Sequence, residues 1–333
     1  MTAPAAETAL QRAEELAERV LPDRRAKKRM LVIVNPYATT VSDRLKNLVV
    51  YALQGRYDVE AIDTQAQGHA TELCREAAGA GYDVVLAFGG DGTVNEAANG
   101  LTGTDTPLTC LPGGATNVYC RTLGIPNDVV DATEHLLLMA DDFQPRRVDT
   151  GLMNGRHFVF ASGVGLDASV VERVDAHPRR KARFGEYYFT YAAVASFNTR
   201  YLRKPPRLRV ESHDGQSSEA VTVIVQNSDP FTYFGTRPIR VCEGAGLDTG
   251  TLAITALKRA TLLEIPTLIP RVFSGRASAV LGHRQVKGFE PVHHATVTTL
   301  DGRLFPVEAD GDYLGEFERV DYGIAPRSLA VVA

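Results

Sequence analysis

An N-terminal α/β domain with a parallel sheet, followed by a C-terminal β-sandwich, is the fold class that the sequence predicts. Up to about residue 140, apolar strand patterns alternate with helical patterns of ten or so residues, which is typical of a parallel sheet. Beyond Asp149, short apolar runs are separated by glycine and aspartate turns, which favours a sandwich. The length of 333 residues fits about two domains.

The predicted strands of the N-terminal half end in polar or glycine-rich residues. The first ends at Asn35-Pro36, the second at Asp63-Thr64 and the third in the stretch from Gly89 to Thr93. Because ligands bind at the carboxyl ends of parallel strands, we expect these ends to face one crevice. The strands are predicted at Met30–Val34, Tyr57–Ile62, Asp83–Phe88 and Leu108–Leu111, and the helices at Val41–Gln54, Ala70–Ala80, Asn95–Leu101 and Val118–Leu123.

The β-rich half is predicted to contain strands at 156–161, 208–211, 220–226, 251–256, 295–300 and 305–308. We divide the chain into four parts on this basis. They are a leader helix with a basic segment (1–28), the α/β domain (29–149), the β-sandwich (150–319) and a C-terminal segment (320–333) that returns to the N-terminal domain.

Composition excludes several classes of protein. The formal net charge of −4 gives no global field that would attract nucleic acid. No apolar run approaches the eighteen or so residues that a membrane-spanning helix needs, and the first thirty residues lack the core of a signal peptide. The four cysteines form no Cys-x-x-Cys pair, so we expect neither a zinc site nor disulfides, and a cytoplasmic location.

The stretch from Gly89 to Glu96 reads Gly-Gly-Asp-Gly-Thr-Val-Asn-Glu and lies between a strand and a helix. Unpaired backbone amides and the positive end of the helix dipole favour phosphate at such a place. Asp91 would repel a phosphate unless a cation lay between them. Its presence therefore indicates a magnesium–nucleotide complex.

A second glycine-bearing turn follows the fourth strand, with the sequence Pro-Gly-Gly-Ala-Thr-Asn from Pro112 to Asn117. It also runs into a helix, so we expect it to face the same crevice. Further along, Asp310-Gly311-Asp312 reads as a tight hairpin turn and places two carboxylates beside a glycine. By itself such a turn needs no chemical role.

These motifs together resemble the diacylglycerol/sphingosine lipid kinases. Both glycine loops fit the family's phosphate loops, although Ala115 stands where the family usually has a threonine and Val118 where it has an aspartate. The resemblance extends over roughly residues 29 to 333. NAD kinases and phosphofructokinases share only the shorter Gly-Gly-Asp-Gly motif.

The resemblance implies a Rossmann-like ATP-binding domain, a lipid-binding sandwich and an active site in the cleft between them. Asp312 would be the base that deprotonates the lipid hydroxyl. Asp91 would act on Mg²⁺ through water or phosphate, helped by Asp149. Asp248 is the one acid left of a turn that binds a structural metal in some members, which makes that site doubtful here. The nucleotide would contact Asn35, Thr64, Gly89, Gly90, Gly92, Thr93, Asn95, Gly114, Thr116 and Asn117.

The implied reaction is transfer of the γ-phosphoryl group of ATP to a lipid hydroxyl, with diacylglycerol as the first candidate. A sphingoid base or another lipid alcohol, and a nucleotide- or lipid-binding protein with weak catalysis, stay open as alternatives. The expected partner is lipid at the inner face of the membrane, through peripheral contact. The basic, aromatic stretch 179–207 suits such contact, with packing on the sandwich as the alternative, and the amphipathic leader is expected to pack on its own domain, with a membrane-surface role as its alternative. A homodimer through the β domain is a family-level expectation.

Overall fold

The computed structural model describes residues 27–177, 195–196, 201 and 204–333. The predicted leader helix and nearly all of the basic, aromatic stretch that begins at Arg179 lie outside these residues. Among the described residues, every helix is too short or too polar to traverse a lipid bilayer.

The N-terminal half is an α/β unit whose strands all run in parallel, in the order β2-β1-β3-β4. Strand β3 is buried along its whole length, as expected for a strand covered on both faces. The elements are β1 Lys28–Val34, α1 Asp43–Leu53, β2 Tyr57–Asp63, α2 His69–Gly79, β3 Val84–Gly89, α3 Asp91–Leu101, β4 Leu108–Pro112, α4 Val118–Thr122 and α5 Val129–Met139.

The C-terminal half is built mainly from antiparallel strands, which confirms the predicted fold class. Its elements are β5 Arg146–Met153, β6 Arg156–Phe158, β7 Ala161–Gly165, α6 Leu166–Asp175, β8 Leu208–Ser212, β9 Ser217–Ala220, β10 Thr222–Gln226, β11 Thr232–Phe234, β12 Arg237–Ile239, β13 Leu252–Leu257, α7 Ile265–Val272, α8 Ala277–Leu281, β14 Val286–Val292, β15 His294–Thr299, β16 Phe305–Ala309, β17 Asp312–Phe317 and β18 Arg319–Val331.

Two sheets enclose the core of the sandwich. One is an antiparallel sheet in the order β14-β13-β10-β7-β16-β17. The other is formed by β5, β8, β15 and β18, and its apolar side chains such as Val210 and Val297 pack with Val223, Ile254 and Val307 of the first sheet. Burial of these branched side chains between two sheets is the main source of stability in a sandwich.

Strand β18 belongs to both halves of the molecule. Its first part pairs with β15 and places Val320 and Tyr322 in the core of the sandwich. Its last part pairs with β5, and Val331 lies opposite Leu108 of the parallel sheet. Leu329 and Val331 are fully buried in the N-terminal core. The parallel sheet and half of the sandwich are therefore one continuous sheet.

Because Leu329 is fully buried where the two halves join, we expect Leu329→Ala to lower the free energy of unfolding by about 2–5 kcal/mol. Leu304 is 51% exposed, so Leu304→Ala is the matched control. It should change the free energy of unfolding by no more than about 0.5 kcal/mol. Chemical denaturation measures both. Equal effects of the two substitutions would contradict the role of β18 in the shared core.

Candidate functional site

A cavity of about 300 Å³ lies where the carboxyl ends of β1 and β2 meet the start of α3 and the start of β17. Four of the predicted nucleotide residues and the predicted base line it. The lining consists of Asn35, Tyr37, Thr64, Gln65, Ala66, Gln67, Gly92, Thr93, Glu96 and Asp312. The cavity contains the N-terminus of a helix, which favours an anionic ligand, and it also contains the carboxylates of Glu96 and Asp312.

The two glycine loops lie backbone against backbone. The amide of Gly113 donates to the carbonyl of Gly89 at 2.8 Å. A Cβ atom on Gly113 would lie 2.8 Å from the Cα of Gly89, and one on Gly114 would lie 2.8 Å from the Cα of Gly90. Side chains at these positions would separate the loops, so the glycines permit this contact. Helix α3 begins directly after Gly90, which provides no side-chain cap.

Asp91 joins the two loops through its carboxylate. Its two oxygens accept hydrogen bonds from the amides of Val118 and Tyr119, at 3.1 Å each, at the start of α4. A carboxylate at this place caps the helix and complements its dipole. The Val118 side chain is apolar and buried, so the second loop supplies no carboxylate at that position.

Asn35 and Thr93 connect β1 with α3. The side-chain nitrogen of Asn35 donates to Oγ1 of Thr93 at 3.1 Å, and its side-chain oxygen Oδ1 accepts from the backbone amide of Tyr37 at 3.0 Å. Both side chains line the cavity together with Thr64. The predicted convergence is thus observed for the residues that follow the first three strands, since Gly92 and Thr93 after β3 line the cavity too.

The carboxylate of Asp312 lies against the first turn of α3. A Cβ atom on Gly92 would lie 2.6 Å and 2.7 Å from the two Asp312 oxygens. The absence of a side chain at Gly92 therefore lets a residue that follows it by more than two hundred positions approach the helix N-terminus. This contact brings the C-terminal half of the chain into the cavity.

A tight hairpin turn between β16 and β17 carries Asp312. Asp310 and Gly311 both have positive φ angles, 50° and 81°, and Ala309 pairs with Asp312 across the turn. Positive φ at both central residues is the pattern of a type I′ hairpin, for which Asp-Gly is a preferred sequence. The predicted hairpin is present, and it positions the candidate base.

The Asp310 carboxylate is fully buried and anchors this hairpin. It accepts hydrogen bonds from the amides of Val159, Phe160 and Ala161 at 2.7–3.1 Å, and from the side chain of Asn95 at 2.7 Å. Burial raises the pKa of Asp310 to about 6, while these donors oppose the rise. Sequence reasoning assigned no role to Asp310.

Behind the hairpin, the carboxyl groups of Asp167 and Glu308 meet over Gly163, where a Cβ atom would lie within 2.7 Å of an oxygen of each. Glu308 is buried, and its second oxygen accepts from the amide of Gly311 at 2.9 Å. Burial raises the pKa of Asp167 to about 6. Burial, followed by the charge of Asp167, raises the pKa of Glu308 well above its usual range. The pair therefore retains a proton at a pH where isolated carboxyls are ionised.

Several predicted site residues lie away from the cavity. Asn95 is fully buried and accepts from the Arg156 side chain at 2.7 Å, besides donating to Asp310. Asp149 is 2% exposed, and its oxygens accept from the amides of Gly250 and Arg327 at 2.7 Å each. The structure therefore gives both side chains protein partners.

Three further predicted residues, Asn117, Thr116 and Asp248, are not part of the lining of the cavity. Asn117 closes the second loop on itself, because its side chain accepts from the amide of Gly114 at 2.8 Å and donates to the Gly114 carbonyl at 3.0 Å. Thr116 is half-buried beside this turn, and Asp248 is exposed. Among the described residues, no three or more His, Cys, Asp or Glu side chains form a group able to hold a metal.

Sequence reasoning missed four polar or aromatic residues of the cavity, namely Tyr37, Gln65, Gln67 and Glu96. Three of them lie within three residues after Asn35 or Thr64, so the polar ends of β1 and β2 were the available signal. Glu96 accepts from the amides of Gly68 and Ala70, at 2.8 and 3.2 Å, and so links α3 to the start of α2.

Comparisons with known proteins agree with this architecture. The family model of the diacylglycerol kinase catalytic domain matches residues 29–152, and that of the YegS C-terminal NAD kinase beta sandwich-like domain matches residues 161–333. A diacylglycerol kinase of Bacillus subtilis is 27% identical over 246 residues, which cover 71% of this chain and 76% of that protein. One of Staphylococcus aureus is 27% identical over 249 residues, covering 72% and 73%.

Solved structures from Bacillus anthracis share the fold. One superposes with a TM-score of 0.71 at 26% identity and covers 93% of this chain and 98% of that chain. Another, a diacylglycerol kinase, has a TM-score of 0.65 at 24% identity and covers 92% and 96%. The second likeness bears on the fold alone.

The stacked glycine loops give a prediction for stability without any ligand. We expect Gly114→Ala to lower the free energy of unfolding by about 1–3 kcal/mol, because the new Cβ would meet backbone at 2.8 Å. Gly90→Ala is the control, since its Cβ would meet Gly114 at 3.5 Å and φ is −86°. Denaturant titration of both variants measures the difference. If Gly90→Ala is the more destabilising, the loops do not pack as described.

The carboxyl pair gives a prediction for pH dependence. Since the pKa values of Asp167 and Glu308 are raised in the folded state, their contribution to stability is present at low pH. It is lost as the pH rises through the folded pKa of Asp167, about 6, and through the raised pKa of Glu308. Glu308→Gln removes one of the two carboxyl groups that titrate. We therefore expect its free energy of unfolding to fall less between pH 5 and pH 7.5 than that of the unsubstituted protein.

The control for this experiment is the exposed residue Glu316. Glu316→Gln should keep the pH dependence of the unsubstituted protein, measured by denaturant unfolding at each pH. An unchanged slope in Glu308→Gln would show that the pair is ionised in the folded protein near neutral pH.

Proposed function

This chain belongs to the family that joins a diacylglycerol kinase catalytic domain to a YegS-type β-sandwich domain, and from that premise we propose that it is a lipid kinase. The proposed reaction transfers the γ-phosphoryl group of ATP, with Mg²⁺, to a lipid hydroxyl. Diacylglycerol is the proposed acceptor and phosphatidic acid the product. The observation that carries the proposal is the Asp312 carboxylate, held against the N-terminus of α3 at the wall of the cavity.

The start of α3 and the glycine loops support binding of the nucleotide phosphates. Backbone amides at a helix N-terminus donate to phosphate oxygens, and Gly90 and Gly114 add no side chain of their own where the two loops meet. Asn35, Thr64 and Thr93 add polar side chains at the rim of the cavity. We propose that Gly90, Gly92, Gly114 and Thr116 lie along the phosphates.

Asp312 is proposed as the general base. Phosphoryl transfer requires the attacking hydroxyl to be in line with the transferred group, and a carboxylate that accepts the hydroxyl proton aligns it. Asp312 sits on a hairpin that buried carboxyl groups hold in place, so its position is fixed before substrate binds. Such preorganisation is needed because a displacement of about 1 Å can cost a hundredfold in rate.

The residues present fit a magnesium ion that the nucleotide itself carries. Mg²⁺ in kinases is bound by phosphates, waters and one or two carboxylates, which agrees with the lack of an all-protein cluster among the described residues. When bound, it would neutralise charge on the phosphates. Asp91 would act on it through water or phosphate. Asp149, whose oxygens accept from backbone amides, would act by holding the chain around Gly250 and Arg327.

The acceptor lipid defines the second candidate. A sphingoid base or another lipid alcohol would use the same base and phosphate loops. Val118 stands where the family has an aspartate, so the second loop lacks that carboxylate. The alternative to an active kinase is therefore a protein that binds the nucleotide but catalyses weakly. We propose that the protein works in the cytoplasm in peripheral contact with the inner face of the membrane, since its substrate resides there.

The test is transfer of labelled γ-phosphate from magnesium ATP into mixed micelles that contain diacylglycerol or sphingosine, with NAD as a soluble acceptor. We expect label in diacylglycerol and its loss in Asp91→Ala. Label in sphingosine alone would change the acceptor, and label in NAD alone would overturn a lipid kinase. If no acceptor is labelled although ATP still binds, the protein is a nucleotide-binding protein without this activity.

For the base, we expect Asp312→Asn to lower kcat by about a hundredfold or more while nucleotide affinity stays within about threefold, because the amide cannot accept the hydroxyl proton. Asp312→Glu should retain measurable transfer, since it keeps the carboxylate. Steady-state kinetics and equilibrium nucleotide binding give the two readouts. Full activity of Asp312→Asn would remove Asp312 from the mechanism.

A further inference from the structure

The surface around α7 exposes an unusual set of large apolar side chains. Leu262 is 65% exposed, Leu263 82%, Ile269 49% and Phe273 44%. Phe234, at the end of β11, joins them through an edge-to-face contact with Phe273, with ring centroids 5.5 Å apart. We call these five residues the apolar patch. Contiguous exposed apolar side chains mark an interaction surface more often than scattered ones do.

Helix α7 is apolar on two sides. Its inner side chains, Ile265, Leu268 and Val272, pack against the core and attach the helix to the sandwich. None of its residues is fully buried, and Ile269 points away from that core together with exposed prolines at positions 266 and 270. A surface helix normally turns charged or polar side chains outward. The outer side of α7 is therefore suited to a second apolar environment.

The segment that carries most of the patch is rich in basic residues, although Glu243 and Asp229 line a cavity together with Arg276. Between residues 258 and 287 the basic residues are Lys258, Arg259, Arg271, Arg276, Arg284 and Lys287, and the one acid is Glu264, although the whole chain has a net charge of −4. Glu264 is buried and pairs with Arg284 at 2.7 Å. Within the described part of the chain, Lys258, Arg259 and Arg276 are exposed and have no carboxylate at ion-pair distance.

We propose that the apolar patch, together with the exposed Lys258, Arg259 and Arg276, which we call the basic rim, docks this protein on an anionic lipid bilayer. Apolar side chains of this size enter the boundary between headgroups and acyl chains, and lysine and arginine at the rim attract anionic headgroups. A second copy of the chain fits less well, because a twofold interface would bring the basic rim against itself. The inference rests on the proposed function, which places the substrate in a membrane.

The patch is physically connected to the nucleotide loops. Phe234 belongs to the hairpin of β11 and β12, in which the ring of Tyr233 lies 3.4 Å from the Arg121 guanidinium. Arg121, on α4, also donates to the carbonyl of Gly235 at 3.1 Å. The amides at the start of α4 donate to Asp91. One hairpin thus links the docking surface to the second phosphate loop.

The test is sedimentation of the full chain with vesicles of phosphatidylcholine alone or mixed with phosphatidylglycerol. We expect Leu262→Gln/Leu263→Gln to weaken partitioning onto the anionic vesicles by about tenfold or more, because two apolar contacts with the membrane are lost. Leu48→Gln/Leu138→Gln is the matched control, since those leucines are 58% and 64% exposed elsewhere. It should partition like the unsubstituted protein.

The charge arm compares Lys258→Glu/Arg259→Glu with Arg44→Glu/Arg75→Glu, which changes the net charge equally at other exposed positions. The first variant should lose the preference for phosphatidylglycerol, and the second should keep most of it. Equal partitioning of the patch variant and its control would overturn the proposal. So would a change from dimer to monomer in Leu262→Gln/Leu263→Gln by light scattering, which would make the patch a contact between copies.

Activity on a water-soluble, short-chain diacylglycerol separates this inference from the proposed function. If the patch variants lose vesicle binding but retain turnover of the short-chain substrate, the docking surface is supported. If the unsubstituted protein binds vesicles through the patch but phosphorylates no diacylglycerol, the proposed acceptor fails while the docking surface stands.

Discussion

The buried carboxylate of Asp310 is the interaction on which the candidate site depends. Four donors, three backbone amides of the segment Val159–Ala161 and the side chain of Asn95, surround it. A buried carboxylate is stable only when such donors replace water. Because Asn95 lies on α3 and Asp310 on the hairpin, this one group ties the helix of the first glycine loop to the turn that carries Asp312.

The second constraint is the continuity of the large sheet. Strand β18 enters the core of the sandwich and then the core of the parallel sheet, so the two halves cannot pack independently. Asp149 reinforces this junction, because it accepts from the amide of Arg327 in β18 and from the amide of Gly250. A cleft built on one sheet holds its two walls in a fixed relation, which suits a reaction that depends on alignment.

Much of the fold was predictable because its signals are local. The alternation of strands and helices, the glycine loops and the Asp-Gly turn each follow from residues close together in the sequence. The cavity was predictable in part for the same reason, since Asn35 and Thr64 end neighbouring strands of a parallel sheet. The positions of Asn95, Asn117 and Asp149 were not. Each is polar and near a motif, yet its partners come from distant segments or from the loop's own backbone.

By itself, the sequence determined the α/β order of the first half and the two glycine loops, because backbone preferences and hydrophobic periodicity are encoded within a few residues. Asp312 became the candidate base only through the family resemblance. Only the tertiary structure decided that Asp91 caps α4, that Asp310 anchors the hairpin, and that α7 exposes apolar side chains beside a basic rim. These features depend on which distant donors, carboxylates and side chains meet, and that is set by packing.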